Sequence, residues 1–210
     1  MWRSNQDPVD MLNFCATFGF SLRLRKSRNN ESMVRDWSKA VSINEELGAN
    51  RLYWDVQRFF GVNDANMFSA FDSHEVISLS EEGSHVTTFA RDGSLMLMLG
   101  YQVAGEKAES TAGVTRPVRS ERIQIKQPGR LGLDTDSNYR FVDLATGKYI
   151  GGGSLKFSEL SNVPVELTLG RTRMILVAPD SGISPRLVFF RGADGVTSMA
   201  NQAEISYAIN

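Results

Sequence analysis

The chain has a single cysteine, two histidines and no long apolar run. With Cys15 alone, an internal disulfide cannot form. Its neighbours Phe14, Ala16 and Phe18 predict a thiol packed in the core, where apolar surroundings make it inert. His74 and His85 with one cysteine are too few for an ordinary His/Cys zinc site, so no metal ligand set is expected. The longest apolar run, residues 95–99, is far too short to cross a membrane. The opening MWRSNQDP has no charged segment followed by an apolar stretch, so no secretory signal is read there. Folding in a cytoplasm is the expectation, which also suits a component of a virion assembled there. Neither sign of charge dominates: Lys plus Arg number 23 and Asp plus Glu 24. That balance removes the simplest case for a nucleic-acid binder but leaves room for a local basic patch.

What is present falls into two textures. Asp7-Pro8 is a good helix start, because Asp caps free amides and Pro fits the first helical position. Val9, Leu12 and Ala16 follow at helical spacing, and Gly19 is a natural stop. Ser32 opens a second expected helix with Met33, Val34, Trp37, Ala40 and Val41 on one face, and Ser42 with Glu45 has capping-box spacing. The clearest helix is expected over 51–60, where Leu52, Tyr53, Val56, Phe59 and Phe60 share a face and Gly61 stands at the C-terminal cap.

After Asp72 the pattern changes to short strands, expected at 75–79, 85–90, 95–101, 122–126, 139–143, 148–150, 165–169, 173–177, 186–191 and 204–209. Asp92-Gly93 is a hairpin signal, and Thr146-Gly147 and Asp194-Gly195 are similar. Residues 122–126 alternate, which predicts one wet face; residues 95–99 do not, which predicts burial on both. Residues 104–115 and 127–138 read as long polar loops, and Gly151-Gly152-Gly153 as a bend or bulge. The reading is an α+β chain: a helical N-terminal segment, 1–72, packed on a mainly antiparallel β-sandwich or barrel, 73–210, the two sharing one core.

Each familiar catalytic or binding motif breaks at a position its chemistry requires. His74-Glu75 begins like a zinc-protease helix, but the fifth position is Ser78. Gly147-Lys148 lacks the Ser or Thr of a phosphate loop, since Tyr149 follows. Asp134, Asp136 and Asn138 resemble the start of a calcium loop, but the sixth position is Tyr139 and the twelfth Ala145. A Ser-His-Asp triad needs no proximity in sequence, but the Gly-x-Ser-x-Gly elbow is absent. No catalytic residue, metal or cofactor is therefore assigned.

Two basic stretches remain: Arg23, Arg25, Lys26 and Arg28, then Arg116, Arg119, Arg122, Lys126 and Arg130. These are the candidate contacts for an anionic partner, since cations facing phosphate give sequence-independent binding. No aromatic alternates with them as a stacking platform would need. The function expected is that of a non-catalytic structural or assembly subunit, contacting copies of itself and other assembly proteins. A capsid, head–tail or tail protein of a virion has this architecture by analogy. The expected contact segments are 104–115, 127–138 and the termini. The alternatives are a nucleic-acid-binding protein using the two basic stretches, and an enzyme whose site assembles only in the fold.

Overall fold

The computed structural model describes residues 8–19, 57, 60–101, 116–144, 148–180, 189–191 and 197–199. The helices expected over 32–41 and 42–48, most of that over 51–60, the loop 104–115, the strand at 204–209 and both termini lie outside these residues, as do the turns at 146–147 and 194–195. The described part is mainly antiparallel β, with few helices.

Helix α1 spans Pro8–Thr17 and ends at Gly19, whose φ of 75° is the left-handed value that favours glycine. Among the described residues eleven strands follow: β1 Asn66–Phe68, β2 Ile77–Leu79, β3 Ser84–Arg91, β4 Ser94–Tyr101, β5 Val118–Ile125, β6 Asn138–Asp143, β7 Tyr149–Lys156, β8 Val163–Thr168, β9 Thr172–Pro179, β10 Phe189–Arg191 and β11 Thr197–Met199. Six form one sheet in the order β1-β3-β4-β9-β6-β7. Three form a second, β2-β5-β8, and β10 pairs with β11.

Local chemistry sets the strand ends. Asp92 and Gly93 join β3 to β4 with φ of 48° and 70°, the two positive angles that a tight two-residue hairpin needs. Gly151, Gly152 and Gly153 bulge out of β7: Arg140 pairs with Ser154 and Phe141 with Ile150, so three residues are left between consecutive pairs. All three have positive φ, which a side chain would strain.

Alternation then sorts the core. Leu95, Leu97 and Leu99 of β4 face the second sheet and join Ile123, Ile125, Val163, Val165 and Leu167 in one cluster with Phe141, Ile175 and Val177. Met96 and Met98 point the other way, into a cluster with Phe89, Met174, Leu176, Ala16 of α1 and Phe60. Strand β4 is thus covered on both faces, as its unalternating sequence implied. Strand β5 alternates: Ile123 and Ile125 are buried while Arg122 is exposed. Each fully buried large aliphatic or aromatic side chain contributes about 1.5–3 kcal/mol.

Two expectations are corrected. Residues 73–75 form a 3-10 turn and the strand begins at Ile77, because the backbone there closes on itself through Val76 N–H to Ser73 O. The stretch 127–138 is the expected long connection, here between β5 and β6; Pro128–Leu131 forms a 3-10 turn in it, and Tyr139 Oη accepts from Asp134 N and donates to Asp134 O. Cys15 is half-buried, on the flank of α1, while Ala16 takes the core position. The burial it has pushes the thiol pKa up.

Candidate functional site

The second basic stretch does not form one surface. In β5 the odd positions face inward, so Arg119 turns toward the core side and Arg122 toward the outer face. The Arg119 guanidinium lies 3.9 Å over the Tyr101 ring and donates to Glu82 O at 2.6 Å. Arg122 reaches Asn162 Oδ1 at 2.9 Å, and Lys126 Nζ reaches His74 O at 3.0 Å. Arg116 donates to Leu169 O at 3.2 Å, and Arg130 stands 3.8 Å from Glu75. These five cations brace turns and strand ends in different directions. Arg23, Arg25, Lys26 and Arg28 lie outside the described residues.

The motif fragments are likewise spent locally. The His74 Nδ1 is 3.2 Å from Phe71 O, one turn back. The Asp134 carboxylate accepts from Asp136 N at 3.0 Å and Ser137 Oγ at 2.8 Å, which holds it below its ordinary pKa. Among the described residues, no three His, Cys, Asp or Glu side chains gather as a metal would need. No helix among them is long and apolar enough to cross a membrane.

The arrangement with most chemical variety was not read from sequence. It is a cleft of roughly 330 Å³ where the start of β5, the end of β8 and the start of β9 meet the end of β6. Its floor is an ion pair, Arg173 Nε to Asp143 Oδ2 at 2.6 Å, with Asp143 only 4% exposed. Arg173 also donates to Glu166 O at 2.8 Å, which ties the two sheets together. Glu166, Thr168, Arg171 and Thr172 complete the lining. Val118, 59% exposed, stands at the rim. The cleft therefore offers both signs of charge beside an exposed apolar side chain.

A second group was also missed. Glu121 is buried in β5 and accepts from Ser80 Oγ at 2.9 Å, Glu81 N at 3.0 Å and Ser84 Oγ, with Arg119 3.8 Å away. The signal was present, because counting back from Ile125 and Ile123 places Glu121 on the core face. Asp143 and Arg173, 30 residues apart, become neighbours only when β6 pairs with β9, and no local pattern marks them. No family model, curated protein or solved structure matches the chain.

Proposed function

We propose that this protein is a non-catalytic assembly subunit, working through contacts with copies of itself and with other assembly proteins. The observation that carries the reading is the mixed-sign cleft with Val118 exposed at its mouth, on the outer face of a three-stranded sheet. Protein contacts combine an apolar anchor with polar groups of both signs at the rim. A phosphate backbone asks instead for one sign, and here two carboxylates stand among the arginines. The nucleic-acid reading of Arg116 through Arg130 is weakened separately, because Arg119 and Arg122 face opposite ways in β5. In this proposal the whole chain is α+β, its helical N-terminal segment lying on a β-sandwich whose outer sheet carries the contact. A capsid, head–tail or tail subunit is a setting that such a body suits, by analogy of architecture.

The test is the association constant of the wild-type chain against Val118→Asp, by sedimentation or light scattering. Val118 points outward, so the substitution leaves the core intact. Burying a valine contributes about 1.5–3 kcal/mol, so a charge there weakens association by at least roughly tenfold. An unchanged association constant contradicts the placement of the contact on this face.

A further inference from the structure

The end of α1 and the strand beneath it meet at one register position. His85 of β3 pairs with Gly100 of β4. The Phe18 ring, just past the end of α1, stands 5.0 Å from the His85 ring at 45°, and Thr17 sits over Gly100 so closely that a Cβ there would come within 2.1 Å of its hydroxyl. The helix is further tied through Thr172, whose N–H donates to Asn13 Oδ1 at 2.7 Å and whose hydroxyl donates to Asn13 O. With that proton committed, Thr17 is the donor in the 2.9 Å contact between the two threonine hydroxyls.

We propose that α1 is an acid-released latch: neutral His85 lets the end of the helix lie on the six-stranded sheet, and protonated His85 loosens it. The half-buried imidazole has Phe18 beside it, and Phe18 in turn stacks on Phe71 and meets Phe14 at a tilt. An imidazolium there must shed water beside aromatic rings. Most titratable groups on the neighbouring described elements are held elsewhere: Glu121 takes Ser80 and Ser84, Arg91 pairs with Asp92, and Glu81 and Glu82 are exposed in the turn before β3. Asp72 accepts from Ser69, His74 meets Phe71 O, and Glu75 faces Arg130. Cys15 lies on α1 and Asp10 near its start, Tyr101 lies under Arg119, and β2 carries no titratable group. No carboxylate among the described residues contacts the His85 ring to welcome a proton.

Burial accordingly pushes the His85 pKa below its ordinary 6.5. The docked form binds fewer protons than the released form, so docking is strongest above about pH 6.5 and weakens as pH falls below it.

The chain's one cysteine supplies the probe, since half-buried Cys15 sits on α1 itself. The experiment follows its labelling by a dipyridyl disulfide, a reagent that reacts in acid, between about pH 7.5 and about pH 5. Each rate is normalised to the same chain in urea at the same pH. Circular dichroism runs alongside. The normalised rate is expected to rise several-fold in acid for the wild-type chain, with the β signal unchanged, and to stay flat for His85→Phe, or for His85→Gln should the first fail to fold. Three results overturn the proposal: the same rise in the variant, slower labelling in acid through attraction between imidazolium and Phe18, or loss of β signal in step with labelling.

Discussion

Replacing Glu121 by Ala removes the acceptor on which the β2–β3 turn hangs. The carboxylate is 1% exposed and takes bonds from Ser80 Oγ, Glu81 N and Ser84 Oγ, with the Arg119 guanidinium 3.8 Å away. Alanine leaves two hydroxyls and an amide facing a void, and Arg119 without its carboxylate. Breaking a buried charged network from one side costs about 3–5 kcal/mol. Each kcal/mol lowers Tm by roughly 2–4 °C in a chain of this size, so the Tm falls by about 6–20 °C. Glu121→Gln keeps one acceptor oxygen but loses the charge, and costs about 1–3 kcal/mol. Urea denaturation followed by circular dichroism measures both, with order wild type, Gln, Ala. A Glu121→Ala loss below about 1 kcal/mol refutes the reasoning, because the bonds would then contribute no more than an exposed pair.

Two further substitutions separate packing from polarity. Gly100→Ala drives a methyl against Thr17, at 2.1 Å from its hydroxyl and 2.5 Å from its Cγ2, and should destabilise by about 1–3 kcal/mol. Thr17→Ala in the same chain should recover part of that loss, as thermal melts of the three chains would register. Thr88 is fully buried with no partner for its hydroxyl among the described residues, so Thr88→Val should raise stability by about 1 kcal/mol. A loss in the denaturation midpoint would mean that the hydroxyl is satisfied.

The fold was legible where the code is local. Asp92-Gly93 announced its hairpin because two positive φ angles narrow the choice of residue, and 95–99 announced a strand covered twice because both sets of alternate positions are apolar. Gly61 has the left-handed φ of 70° that a glycine there suits, with its N–H on Gln57 O. Spatial grouping was not legible. Arg116 to Arg130 read as one basic stretch, but the two-residue period of β5 and the turn after it send Arg119 and Arg122 to opposite faces. The cleft depends on strand order: β9 lies between β4 and β6, and that order brings Arg173 to Asp143. Nothing in the spacing of those residues encodes it.

Assembly, the proposed role of this protein, is open to a single physical test. The measurement that tests it most directly is native mass across a concentration and salt series, with absorbance read for nucleic acid and with candidate assembly proteins added. A discrete, concentration-dependent particle larger than the 23.3 kDa chain, dispersed by Val118→Asp, is the expected result. A chain that stays monomeric throughout, binds none of the added proteins and turns over a small molecule would contradict it.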